Sequence, residues 1–302
     1  MYDIGIIGGG TAGMTAAIYG QRGGKKTVIF EGTTFGGQIA SSLHVENYPG
    51  IQSISGAEFS MNLLEQAKNQ GAETRQELVL NIREENGVMV VRTSDGEYQC
   101  KTIILATGVT PRKVGIPKEQ DLIGAGISYC ATCDGAFFRG LDVAVNGGGN
   151  TALEDAEFLS NYCNKVYLIH RRDEFRGEER LVEVLQDKPN VEFVLSATVK
   201  EILGDKEVTG LLLNNKKTGA DFSIDVAGLF VAIGQVPDNE RFSDLVALDD
   251  YGFIVAAEDC MTSHPRVFVA GDCRTKDVRQ LTTAASDGAI AALAAAKYLA
   301  LA

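Results

Sequence analysis

The chain has 302 residues, 45% of them apolar and 23% charged, and a formal net charge of −12. That balance is the profile of a globular protein, and it excludes nucleic acid and anionic membrane surfaces as general partners. Glycine is abundant, with 34 copies against six prolines, which points to tight turns and close backbone approaches rather than disorder.

The N-terminus, MYDIGIIGGG, runs straight into an apolar strand without a basic stretch and a greasy segment before it, so no secretory signal is expected. No apolar run is expected to approach the roughly 20 residues of a membrane span, and the chain reads as soluble and cytoplasmic. The strand, residues 3–7, meets Gly8, Gly10 and Gly13 in G-x-G-x-x-G register. A helix pattern follows to about Arg22, and a second strand, KTVIFE, ends in Glu31. Gly8 allows the tight turn, Gly10 lets a pyrophosphate approach the backbone, and Gly13 lets helix pack on strand. The phosphates would sit at the positive helix end, with Glu31 accepting hydrogen bonds from a ribose diol. Strand, helix and terminal acid together make the motif specific where the glycines alone would not. Residues 102–108, TIILATG, supply a further strand for this first fold.

Next come Cys130 and Cys133, three positions apart, with Asp134 directly after the second. A structural zinc site needs four ligands, and neither the scattered cysteines (Cys100, Cys163, Cys260, Cys273) nor His44, His170 and His264 offer a second pair. Those four cysteines read as buried apolar residues. A purely structural disulfide is disfavoured, since so short a loop constrains little chain entropy. Dithiol–disulfide chemistry is the best reading, with Asp134 as the carboxyl that moves protons; a solvated turn aspartate is the plainer alternative.

A second glycine turn begins at residue 142, where Gly147, Gly149 and Ala152 take the three positions and a helix runs from about Thr151 to Tyr162. The next strand, KVYLI, ends in His170, Arg171 and Arg172, with Arg176 following. An acid there would repel a 2′-phosphate, whereas guanidinium groups bind one, so NADP(H) is favoured over NAD(H). Asn146 stands before these glycines where an apolar residue is expected. Residues 228–234, GLFVAIG, supply a further strand for the second fold, VFVAGD delivers Asp272 at a strand tip, and a last helix starts near Gln280.

Prolines and glycines cluster at 107–117 and 234–239, the natural places for the chain to cross between domains. The fold class is therefore α/β, with two Rossmann-like, three-layer dinucleotide-binding domains, the second inserted into the first. The expected segments are 1–112, 113–240 and 241–302, with the two crossings forming a hinge.

Taken in order, GGGTAG, GGQ, VENYPG, ATG, CATCDG, GGGNTA, HRRDEFR and AGDC…RQL make the whole chain resemble the bacterial-type, low-molecular-weight thioredoxin reductases. The resemblance implies a homodimeric flavoprotein, with FAD in the discontinuous outer domain and NADPH in the inserted one, that reduces thioredoxin by NADPH. FAD contacts carried over by motif are Gly8, Gly10, Thr11, Ala12, Glu31, Gly36, Gly37, Gln38, Asn47, Thr107, Gly108 and Gly271. Asp272 would bind the ribitol, and Arg279, Gln280 and Leu281 would lie along the isoalloxazine. NADPH contacts are Gly149, Asn150, Thr151, His170, Arg171, Arg172 and Arg176. Cys130 takes the partner-attacking role, Cys133 the flavin-proximal one and Asp134 that of proton donor and acceptor. The inserted domain would rotate between steps. Ala136 and Phe137, where partner contacts fall, depart slightly from the family's aromatic run. An alternative donor or acceptor, a dithiol oxidase and a non-catalytic flavin sensor are the competing readings.

Overall fold

The computed structural model describes residues 1–42 and 44–301. In chain order, β1 (Tyr2–Ile7), α1 (Thr11–Arg22), β2 (Thr27–Phe30), α2 (Gly56–Asn69), β3 (Glu73–Arg75), β4 (Val79–Glu85), β5 (Val88–Thr93) and β6 (Glu97–Leu105) come first. After β7 (Thr110–Pro111) follow β8 (Ile127–Ser128), α3 (Ala131–Asp134), β9 (Asp142–Gly147), α4 (Asn150–Ser160), β10 (Lys165–Ile169) and α5 (Glu179–Gln186). Then come β11 (Val191–Val194), β12 (Ala197–Leu203), β13 (Gly210–Asn215), β14 (Asp221–Ile224) and β15 (Gly228–Ala232). The chain returns through β16 (Gln235–Val236) and ends with β17 (Val267–Val269) and α6 (Leu281–Leu301).

Two compact units result, residues 1–110 with 236–302, and residues 111–235. Residues 111–112 thus fall in the inserted unit and 236–240 in the outer one. Asn239 gives the reason: it is fully buried and bonds Thr107, Gly252 and Cys273, all of the outer unit.

The outer unit has a seven-stranded sheet ordered β3-β2-β1-β6-β5-β4, with β17 also paired to β6. β1 runs parallel to β2 and β6, which places the first glycine turn at the carboxyl end of the central strands. Side chains alternate across the strands, so Ile29 and Ile104 pack beneath α1 and α6 while Val28, Phe30, Ile103 and Leu105 form the core of the opposite face. The inserted unit repeats the plan: a parallel sheet ordered β11-β10-β9-β15-β8. Val143 and Val145 face α4 and α5, and Ala144 faces the antiparallel sheet β12-β13-β14.

The expectation that no apolar run reaches membrane length is corrected by α6, which is long and apolar enough, by length and composition, to cross a membrane. Its small residues nevertheless serve close packing: Gly288, Ala291, Ala292 and Ala295 are buried, and a Cβ on Gly288 would lie 2.2 Å from the Ala12 carbonyl oxygen of α1. A core helix passes the same test of length and composition.

Candidate active site

In the outer unit, Gly8 has φ 114°, and a Cβ there would meet the Ala106 carbonyl oxygen at 2.2 Å. At Gly13 the Cβ would lie 1.9 Å from the Gly8 oxygen, so helix and turn close only on glycine. Gly10, by contrast, has nothing closer than 3.9 Å and precedes α1 without any side-chain cap. That is an open cradle against free N–H groups, the environment a phosphate needs.

Other expected residues lie against this turn or pair with one another. Gly36 donates its N–H to the Gly9 oxygen at 2.8 Å, and Gln38 Nε2 bonds the Val109 oxygen at 2.6 Å, beside Thr107 and Gly108. Gly271 packs against Ala12, where an added Cβ would meet the alanine's at 2.9 Å. Asn47 Nδ2 donates to Gln280 Oε1 at 3.3 Å, one residue before Leu281 opens α6. Arg279 Nε donates to the Asp272 backbone carbonyl oxygen at 3.2 Å. Asp272 Oδ1 is buried and, among the described residues, without a hydrogen-bond partner; burial raises the carboxyl's pKa. A polar ligand there would satisfy it. Glu31 is already engaged, accepting from Gly9 N and from Thr33 N and Oγ1, each at 2.8 Å. A carboxylate has about four acceptor positions, so capacity for a ribose remains.

The inserted unit holds the second constellation. A Cβ on Gly149 would meet nothing within 4 Å, so this turn too is open, and Thr151 is exposed at the start of α4. The arginine segment folds back onto it: Arg176 N bonds the Gly148 oxygen at 2.7 Å, and Glu178 N bonds Asn150 Oδ1 at 2.8 Å. The side chains of Arg171, Arg172 and Arg176 are exposed and, among the described residues, lack hydrogen-bond or ion-pair partners. His170 is buried against Gly148 and stacked on Phe175, and its Nε2 is unpartnered among the described residues. Burial, then the charges of Arg176, Arg171 and Arg172, lower its pKa, so the ring is neutral at physiological pH. Asn146 is half-buried in β9, opposite Ile169 and Val231, and among the described residues no contact explains its polarity.

Cys130 and Cys133 are joined as a disulfide, Cα atoms 5.3 Å apart, across the first turn of α3. Asp134 N bonds the Cys130 oxygen at 3.1 Å, and its carboxyl accepts from Ser128 Oγ at 2.6 Å. Burial raises the Asp134 pKa, and the Ser128 hydrogen bond pulls against it. The four other cysteines are buried and free, with burial pushing Cys100 and Cys260 up to about 12. Sequence reasoning missed Ser128 and Asn239. A serine two residues before the first cysteine was the only signal for one, and a lone asparagine in a proline turn for the other.

Two glycine-turn α/β units, one carrying a Cys-x-x-Cys disulfide beside a half-buried carboxyl, define a disulfide oxidoreductase. The family model for pyridine nucleotide-disulphide oxidoreductase matches residues 2–288. A thioredoxin reductase of Peptoclostridium acidaminophilum is 40% identical over 306 residues, covering 99% of this chain and 97% of that protein. The crystal structure of thioredoxin reductase from Streptococcus pyogenes superposes with a TM-score of 0.95 at 40% identity, covering 100% of this chain and 99% of the other. Lactococcus lactis thioredoxin reductase in its FR conformation gives 0.70 at 39% identity, covering all of both chains. The chain belongs to the pyridine nucleotide-disulphide oxidoreductases and, within them, to the low-molecular-weight thioredoxin reductases. Membership implies FAD and NAD(P)H binding, and both open glycine turns fit such groups.

Proposed function

We propose that the protein is an NADPH-dependent thioredoxin-disulfide reductase, with FAD held by the outer unit and NADPH by the inserted one. The observation that carries this reading is the Cys130–Cys133 disulfide with the half-buried Asp134 beside it, held by Ser128, in the unit that also presents the arginine segment. Gly8, Gly10, Thr11 and Ala12 would cradle the FAD pyrophosphate, and Glu31 would accept from its adenosine ribose. Gly36, Gly37, Gln38, Asn47, Thr107, Gly108, Gly271 and Asp272 would line the flavin half, with Arg279 to Leu281 along the ring. Gly149, Asn150 and Thr151 would hold the NADPH pyrophosphate. The exposed guanidiniums of Arg171, Arg172 and Arg176 suit a 2′-phosphate, next to the buried His170.

When bound, the flavin supplies two-electron exchange between a nicotinamide and a disulfide. Cys133 receives those electrons, Cys130 attacks the thioredoxin disulfide, and Asp134 gives and takes the protons. Two crossings at 110/111 and 235/236 make a hinge for alternation between steps, which the existence of a relative in the FR conformation supports. The reading includes a homodimer in the cytoplasm, both carried by the family resemblance.

Anaerobic titration with NADPH, followed by oxidised thioredoxin, tests the proposal. The unaltered protein should reduce thioredoxin with NADPH far better than with NADH. Cys133→Ser should still accept electrons from NADPH but pass none on, and Cys130→Ser should likewise show no thioredoxin reduction. Wild-type rates from either cysteine variant would leave the pair without a role in turnover.

A further inference from the structure

We propose that Ser128 is a positioning residue for the thiol–disulfide chemistry, its hydroxyl joining the Cys130 backbone to the Asp134 carboxyl. The inference rests on the reading of Cys130, Cys133 and Asp134 given above.

Ser128 is the last residue of β8, pairs with Phe230 of β15, and is 3% exposed. A short strand locked into a parallel sheet therefore fixes where its oxygen sits. That oxygen accepts the Cys130 N–H at 3.1 Å and donates to Asp134 Oδ2 at 2.6 Å. The Cys130 carbonyl oxygen, at 3.3 Å, is a second acceptor in reach. A hydroxyl has one hydrogen and two acceptor lone pairs. With Asp134 ionised, the hydrogen goes to the carboxylate, the shorter and charge-assisted bond. With Asp134 protonated, the carboxyl donates to Ser128 Oγ, and the serine hydrogen turns to the Cys130 oxygen. Ser128 thus stays bonded to Asp134 on both sides of a proton transfer, without any heavy atom moving.

The chemistry requires such a cycle. Opening the Cys130–Cys133 bond takes two electrons, and two protons convert both sulfurs to thiols. In the return step the dithiol and a partner disulfide exchange. One partner S–S bond breaks, the Cys130–Cys133 bond re-forms, and the two electrons and two protons leave as the partner dithiol. A carboxyl that moves protons in both directions must hold its place in both charge states. The hydroxyl also accepts the Cys130 N–H in both states, so the attacking cysteine and the proton carrier share one anchor.

A double-mutant cycle tests this. Ser128→Ala should retain its flavin and its rate of flavin reduction by NADPH, yet lose about tenfold in thioredoxin reduction, the scale of a charged hydrogen bond. In an Asp134→Asn background the same change should cost less than about twofold, because the proton carrier that Ser128 positions is already gone. Ser128→Thr, which keeps the hydroxyl, should recover most of the rate. Equal losses in both backgrounds, a wild-type rate for Ser128→Ala, or a fall in its flavin content would each overturn the proposal. Absence of NADPH-dependent thioredoxin reduction by the unaltered protein would instead refute the function, a separate outcome of the same assay.

Discussion

The two glycine turns share a strand–turn–helix plan and differ in how tightly they close and in the residues beyond the next strand. In the outer unit the third position is Gly13, where a Cβ would sit 1.9 Å from a backbone oxygen. In the inserted unit that position is Ala152, whose Cβ is tolerated because the squeeze moves to Gly147, 2.5 Å away for an added Cβ. The strand after the first turn leads to Glu31, bonded back to Gly9 N at 2.8 Å. After the second come His170, buried and neutral, and arginines whose charges face solvent. In the function proposed above, one scaffold would serve two ligands through the first residues past its second strand, where a carboxylate suits a free ribose and guanidiniums suit a phosphate.

The largest test of that comparison is steric. Gly13→Ala should destabilise the outer unit by at least about 3 kcal/mol, the upper end of overpacking costs, and abolish flavin retention. Ala152→Gly should cost only about 1 kcal/mol, since it merely loosens a helix start. Thermal melting with flavin content measures both, and similar losses would mean that the two turns close alike.

Charge gives the next effect. Arg171→Ala and Arg176→Ala should each lower kcat/KM for NADPH about tenfold or more, while NADH use stays unchanged. Parallel losses with both nucleotides would assign the arginines to the shape of the loop rather than to a phosphate.

The smallest effect is a pH dependence confined to the inserted unit. The His170 pKa is depressed below its ordinary 6.5 in the folded state, so the unfolded chain binds the extra proton first. Its contribution is fully present above about pH 6.5 and is lost as pH falls toward the folded value. His170→Phe should flatten that slope in melts followed between pH 7.5 and about pH 5. An unchanged slope would show that the ring's burial does not govern it.

The glycine spacings, Glu31, the arginine segment and the Cys-x-x-Cys-Asp run were legible in the sequence because each is a local constraint. A turn that needs no Cβ, a helix end that needs an anion and two thiols within one helical turn are set by residues a few positions apart. What only the tertiary structure decided are partnerships between distant segments. Asn239 ties Thr107 to Cys273, moving residues 236–240 into the outer unit. Asp287 of α6 accepts from Gly271 N at 3.0 Å and from the buried Arg274, fixing the turn that presents Asp272. The apolar composition of α6 becomes a packing face only against α1. Ser128 stands near Asp134 in sequence, yet its aim comes from β8 pairing with β15, far later in the chain. Such contacts depend on sheet register and helix docking summed over the whole unit, and no short window of sequence carries that information.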